Sequence, residues 1–321
     1  MVRVGISGVL VIDKPVGPTS HDVVAHLRRA LGTRAVGHAG TLDPRASGVL
    51  VMVVGEATKL VAHLSLHEKQ YEAWVTFGVA TNTLDAEGAI VATAALPPDL
   101  ADDLSARTAE PAARGASVAS ALERALEGER SRQEQVPPAF SAIKLNGRAV
   151  HRLARRGERV ELPARPVEVR SLEVTGTTAD SVGLVLTVSK GYFVRSLARD
   201  LGDRLNVPAH LSSLRRLSSG PFTLAEALPP STPAEELCRA MQPLAEVVAR
   251  VLPTAKLSEE GVRRARCGKL LSSEHFTSVP AHGPTAWLSP SGDVVAVGRA
   301  ADELHFAVDR GFGQPTSSSA T

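Results

Sequence analysis

The residues with most scope for chemistry lie in the run Gly37-His38-Ala39-Gly40-Thr41-Leu42-Asp43-Pro44-Arg45-Ala46-Ser47-Gly48. Its three glycines permit close backbone approach and unusual dihedral angles. Pro44 pushes Asp43 toward an extended backbone, so the carboxylate stands on a stiff elbow. An aspartate with an ordinary pKa of about 3.9 is ionised at neutral pH without assistance. Taken alone, an Asp-Pro in such a glycine-rich turn reads as an Asx-type turn sooner than as a reacting carboxylate, and only its context reverses that preference. The run is not a P-loop, because no lysine follows Gly40 and the G-x-x-x-x-G-K-[ST] spacing is absent.

Charge supplies a second signal. The chain carries a net charge of only +2, yet residues 141–220 hold 14 Lys/Arg against 7 Asp/Glu, leaving the remainder net negative. A basic segment in a nearly neutral protein suits a polyanionic partner on one face, although a solvated charged surface has the same composition. The two cysteines, Cys238 and Cys267, point to a reducing cytoplasm and are too few for a Cys₄ zinc or cluster site.

Elements that would position these groups follow from apolar spacing. Val9-Leu10-Val11-Ile12 predicts a short strand, and Ser20 is placed to cap a helix on which Val23, Val24, Leu27, Ala30 and Leu31 recur at helical intervals up to Gly32. The apolar run 48–55 predicts a buried strand that holds the glycine-rich loop against the core. From residue 69 to 78 the chain alternates, with Tyr71, Ala73, Val75 and Phe77 on one face. Residues 92–115 predict an irregular surface excursion before a helix near 118–126. Residues 140–145 with Asn146-Gly147 predict a hairpin, followed by a short basic helix with Leu153 on its inner side. Residues 167–174 and 182–188 predict paired strands, and 196–205 a helix. After Pro229-Pro230 two short helices lead to Pro253, and strands at 294–297 and 304–308 belong to a small β-rich module. The polar end beyond Gly311 predicts a frayed tail.

The glycine-rich run, extended through Val49-Leu50, resembles the catalytic signature of the TruB-type tRNA pseudouridine synthases. Four further motifs occur in that family's order. They are Lys69-x-Tyr71 with Gly78-x-x-Thr81-x-Thr83-x-Asp85-x-x-Gly88; Gln135-x-Pro137-Pro138-x-x-Ser141-Ala142-x-Lys144-x-x-Gly147; Ser189-Lys190-Gly191-x-x-Val194-Arg195-Ser196-Leu197-x-x-Asp200-Leu201-Gly202; and Ala209-His210-Leu211-x-x-Leu214-Arg215-Arg216. The resemblance spans roughly residues 8–222, with the spacer around 92–116 longer than usual. Beyond about residue 250 it is general, similar to the PUA-like RNA-binding barrel that often ends such proteins.

The resemblance implies an α+β fold, with a mixed, largely antiparallel sheet and flanking helices. It further implies a catalytic domain over residues 1–250, a PUA-like module over 251–310 and a flexible tail over 311–321. The implied reaction isomerises uridine to pseudouridine at position 55 in the T arm of tRNA, by base flipping and without metal or other cofactor. By the match Asp43 is the nucleophile, Arg195 the cation beside it, and Tyr71 the ring that stacks on the target base and takes a proton late in the reaction. Leu214 packs on the other side of the base, and His38 enters the space it vacates. Lys144, Lys190, Arg215 and Arg216, with Arg148, Arg152, Arg155 and Arg156, are candidates for the RNA backbone. Asp85 either orients the active-site loop or caps a turn. The chain departs from the family's Lys-Gly-Thr-Tyr-x-Arg pattern in having Tyr192-Phe193, and it has His151 where a tyrosine is common.

The 321 residues, 43% apolar and 22% charged, suffice for about two domains and exclude collagen-like, disordered and disulfide-dense classes. No apolar run reaches about 18 residues, so no membrane span is expected. With the resemblance, the expectation is a cytoplasmic, monomeric enzyme that acts on tRNA without an obligatory protein partner. Two rival expectations share the motifs: a tRNA-binding folding assistant, and a guide-dependent synthase inside a ribonucleoprotein.

Overall fold

The structure, a computed structural model, describes residues 6–109, 120–140, 144–145, 148–149 and 162–313, with no side chains described over 141–150. Contacts divide the chain into two compact units. One comprises Met1–Leu42, Val49–Leu66 and Gly220–Thr321; the other comprises Asp43–Gly48 and His67–Ser219.

In the first unit the strand Gly8–Lys14 lies beside the strand Ala46–Val54, which pairs antiparallel with Val36–Ala39 on its other side. Residues 49–54 are all at most 1% exposed, which is why their sequence is apolar without alternation. The helix Ser20–Leu31 is capped by Thr19 rather than Ser20. Thr19 and Asp22 form a reciprocal capping box, and Gly32 closes the helix at φ +64°. Ser20 is thereby free for another task. Its hydroxyl donates to Leu42 O at 3.0 Å and accepts from Leu42 N at 2.9 Å.

The C-terminal part of this unit is a five-stranded sheet in the order Phe276–Ser278, Thr254–Leu257, Thr285–Leu288, Val294–Ala300, Phe306–Gly311. One side packs Trp287, Val295 and Ala296 with Ala255, Leu257, Val262 and Phe276. Ala286, Val294 and Val297 join a second cluster that contains Val9, Val11, Val51, Val53, Val247 and Val248. The strands at 285–288 and 294–300 are therefore covered on both faces, matching the uninterrupted run Val294-Val295-Ala296-Val297.

In the second unit Lys69–Phe77 is the central strand, antiparallel to Ser181–Val188 on one side and to Ala209–Ser219 on the other. Val169–Thr177 extends the sheet beyond Ser181–Val188 as an antiparallel neighbour. At the opposite edge, residues 46–48 run parallel to 214–216, so the sheet is mixed and mostly antiparallel. Lys69, Tyr71, Ala73, Val75 and Phe77 are all buried, as the alternation predicts. The helix Val194–Leu205 packs on the strand Ala209–Ser219 and against the helix Ala121–Arg130.

The expected excursion at 92–115 is corrected by the structure, which places a helix at Pro98–Ala109. Its signals are short: a proline at the first helical position, Asp99 in the first turn, and Leu100 and Leu104 one turn apart, both at most 1% exposed. The next helix runs Ala121–Arg130, later than expected, because Ser120 caps it through Glu123 N. The hairpin at Asn146-Gly147 is framed by Lys144–Leu145 paired with Arg148–Ala149. The short helix around Leu153, His151 and the arginines at 152, 155 and 156 lie outside the described residues.

Two consequences are measurable. Gly48 has φ +100°, and a Cβ there would collide with the backbone of Arg216 across the parallel pair. Gly48→Ala should destabilise the protein by about 2 kcal/mol or more, read as a lower denaturant midpoint with an unchanged m-value. Lys69 is 8% exposed. Burial, then the charges of Arg216 and Lys190, lower its pKa from 10.5 to about 8. Between those values the unfolded chain binds the extra proton, so Lys69 makes stability rise with pH there. The stability of the wild type relative to Lys69→Met should therefore increase from pH 8 to 10.5 in paired denaturation curves.

Candidate active site

Asp43 opens the turn that precedes the strand Ala46–Val54, its carbonyl accepting from Ala46 N at 3.1 Å. Leu42, which precedes it in the chain, is held by the two Ser20 hydrogen bonds. The Asp43 carboxylate reaches outward, with a side chain 40% exposed, and Oδ2 lies 2.9 Å from Nε of Arg195. The arginine side chain is only 8% exposed. One partner of this pair is therefore open to a ligand while the other is fixed in the protein interior.

Arg195 is held from three further directions. Nη1 donates to Thr83 O at 3.1 Å and lies 3.6 Å from Asp85 Oδ2, and Nη2 donates to Phe140 O at 2.9 Å. The side chain is 12% exposed for Asp85, which makes it a second, interior counter-charge. Asp85 Oδ1 accepts from Thr83 Oγ1 at 2.6 Å and from Glu87 N at 3.1 Å. Asp85 closes its own turn with one oxygen and faces Arg195 with the other. Leu84, within that turn, adopts φ +65°, a left-handed conformation that is uncommon outside glycine. Leu211 N donates to Leu84 O at 3.0 Å and secures it to the sheet.

The start of the helix Val194–Leu205 is pinned as well. Gln135 accepts from Phe193 N at 2.8 Å and donates to Phe193 O at 3.1 Å, and Ser196 Oγ donates to Val136 O at 2.9 Å. Gln135 occurs in one of the motifs, but its role as a clamp on the residue before the helix was not legible from spacing. Glu129 and Arg132 were missed altogether, and Tyr192 was legible only as a departure from the family pattern. Glu129 is fully buried, and its Oε1 accepts from Tyr192 Oη at 2.7 Å and from Arg132 Nε at 2.6 Å. Burial, then the Glu129 charge, pushes the Tyr192 pKa well above the ordinary tyrosine value.

The other expected residues are placed as follows. Tyr71 is 8% exposed, directly opposite Leu186 and Arg216. Leu214 is half-buried in the cross-strand row between Ala73 and Ala46, on the same face as Tyr71 and opposite Ala46, which follows Asp43 by three residues. Arg215 points to the opposite face, opposite Glu72, and donates to Ser47 Oγ at 3.3 Å. Arg216 is 1% exposed, the placement of a core cation rather than of a surface contact. Lys190 is exposed. Lys144 lies in a described strand, with its side chain outside the described residues. His38 sits in the strand Val36–Ala39 of the first unit, its ring edge-on to His21 with centroids 6.0 Å apart. Among the described residues no group of three or more His, Cys, Asp or Glu gathers as a metal site. No described helix is long and apolar enough to cross a membrane.

Comparison with known proteins gives the family of the chain. The sequence profile described as TruB family pseudouridylate synthase (N terminal domain) matches residues 28–194. Proteins named tRNA pseudouridine synthase B are similar over nearly the whole chain. That of Thermobifida fusca (strain YX) is 42% identical over 298 residues, 90% of this chain and 93% of that protein. That of Cutibacterium acnes is 42% identical over 307 residues, 92% and 94% of the two chains. Among solved structures, a chain of a Cbf5-Nop10-Gar1 complex covers 94% of this chain and 83% of its own at 25% identity, with a TM-score of 0.67. A chain of an H/ACA RNP bound to a substrate RNA containing 2'-deoxyuridine shares the fold at 23% identity, with a TM-score of 0.66 over 96% and 86% of the chains. With that fold, those motifs and relatives more than 40% identical end to end, the chain belongs to the TruB family of pseudouridylate synthases.

Proposed function

We propose that this chain converts uridine 55 in the T arm of tRNA to pseudouridine, with Asp43 as the nucleophile. The observation that carries the reading is the pairing of a partly exposed Asp43 carboxylate with a buried, four-way-held Arg195. The reaction breaks C1′–N1, turns the base and forms C1′–C5; C5 gives up a proton and N1 ends with one. No electrons are exchanged with a second reagent. The attacking group must be ionised and must keep its charge while a base covers it, conditions that a fixed guanidinium at 2.9 Å meets. Tyr71 and Leu214, on one face of the sheet, suit a flat base, and Tyr71 is the acceptor of the C5 proton.

A base inside folded RNA must first be extracted, at a cost of a few kcal/mol in stacking and pairing. In this reading His38 fills the vacated space, while Lys190, Arg215 and Lys144 meet the backbone. The burial of Arg216 favours a supporting place under Tyr71, opposite it in register, over a phosphate contact. The C-terminal five-stranded sheet is the RNA-binding module of the same reading. The relatives are named as tRNA enzymes at about 40% identity, which favours action on tRNA by the chain alone over a guided complex.

The test is purified protein with an unmodified tRNA transcript, mapped at single-nucleotide resolution. Pseudouridine should form at uridine 55 without added protein or guide RNA; an inert chain would support the guided alternative. Asp43→Asn should retain RNA binding within about threefold and lower turnover by more than about a thousandfold. Arg195 keeps Asp85 and two carbonyls in that variant, so the protein should fold; near-wild-type turnover would remove Asp43 from the reaction. Lys190→Ala should weaken binding to any tRNA and reduce the log–log salt slope by about 1.

A further inference from the structure

Tyr192 and Glu129 have no part in the reaction as described, yet they form a buried side-chain hydrogen bond near it. Tyr192 is 8% exposed and Glu129 is fully buried. A carboxylate and a phenol are costly to bury, and here the phenol and one carboxylate oxygen are matched: Tyr192 Oη donates to Glu129 Oε1 at 2.7 Å, and Arg132 Nε donates to the same oxygen at 2.6 Å, while Oε2 is buried with no hydrogen bond among the described residues. The chain of contacts continues to the helix that carries Arg195. Arg132 Nη2 lies 3.1 Å from Asp200 Oδ2, Asp200 Oδ1 accepts from Arg199 Nε at 2.8 Å, and Arg199 Nη2 donates to Val136 O at 2.9 Å.

The position of Tyr192 gives this network its meaning. It stands three residues before Arg195, at the point where the chain enters the helix Val194–Leu205. Phe193, between them, is fixed through its backbone by Gln135. The approach to Arg195 is thus tied at two successive residues, first by a side chain and then by a main chain. The helix start has no side-chain cap of its own, so these external ties are what orient it. Tyr192 also stands where the family pattern has a threonine. A threonine is too short to span the distance a phenol covers, so the tie to Glu129 is a property of this chain's own residues.

We propose that Tyr192 is a positioning residue: its phenol, anchored on the buried Glu129–Arg132 pair, sets the start of the helix so that the Arg195 guanidinium meets Asp43. It acts through Arg195 and touches no reacting atom. Its raised pKa keeps the hydroxyl a donor throughout the physiological range, so it does not exchange protons with substrate. The inference rests on the reading of Asp43 and Arg195 as the reacting pair.

Tyr192→Phe removes the hydroxyl and keeps the ring. With saturating tRNA, and well below each variant's melting midpoint, its single-turnover rate should fall about tenfold while the tRNA Kd stays within twofold, as displacement of a catalytic group by a fraction of an ångström does. The deciding measurement is a double-mutant cycle with Arg195→Lys. If Tyr192 acts through Arg195, Tyr192→Phe should have little further effect in the Arg195→Lys background. An equal tenfold loss in both backgrounds, or a wild-type rate for Tyr192→Phe, overturns the proposal. Glu129→Gln keeps an acceptor for the phenol but removes the charge that holds Arg132. It should lower the rate in the same direction, and the double variant with Tyr192→Phe should be no slower than the slower single; independent, multiplying losses overturn the proposal. Should Asp43→Asn itself retain turnover, the assignment of the reacting pair fails, a result distinguishable from failure of the Tyr192 tie.

Discussion

A guanidinium buried to 8% of its side-chain surface must be paired, and the second unit is arranged around how Arg195 is paired. Breaking a buried ion pair on one side costs about 3–5 kcal/mol, because the surviving charge has no water to turn to. Four groups share that task, and they come from three separate stretches of chain: Asp43 from the glycine-rich turn, Thr83 and Asp85 from a second turn, and Phe140 from the segment after Gln135. Each stretch is fastened in its own way. The first continues into a strand paired with 214–216, the second is bonded to Leu211, and the third is clamped to the start of the Arg195 helix.

The sheet supplies the common frame. The strand Ala209–Ser219 lies between the Asp43 strand and the Tyr71 strand, so a single register sets Leu214 against Ala46 and Ala73, and Arg216 against Gly48 and Tyr71. Gly48 is needed because the parallel neighbour approaches too closely for a side chain. Burial of Lys69, and after it the charges of Arg216 and Lys190, lower the Lys69 pKa. Structure and charge at the site are thus not separable, since the residues that fix the register are also those that set the local potential.

Much of this was legible in the chain. Strict alternation through Tyr71, Ala73, Val75 and Phe77 marks a half-buried strand, and unbroken apolar runs mark the strands covered on both faces. Asp43 and Arg195 were legible because their motifs are specific, and they meet at 2.9 Å. What was not legible depends on tertiary contacts. The choice of Thr19 over Ser20 as helix cap follows from Leu42 taking the Ser20 hydroxyl, 22 residues away. The helix Pro98–Ala109 has only two deeply buried leucines, too few to set a period. Arg216 reads as a surface arginine beside Arg215, and only the strand pairing turns one outward and the other into the core. The Glu129–Tyr192 bond joins residues 63 apart, each unremarkable in its local sequence.

In the proposed reaction, the second carboxylate beside Arg195 bears on what happens once Asp43 has attacked. An aspartate that becomes an ester to the sugar or the base is neutral, and a buried arginine with a single counter-ion would at that moment be left alone with its charge. Asp85 lies 3.6 Å away and is held by its own turn, apart from the reacting carboxylate. The guanidinium therefore passes from two anions to one, never to none.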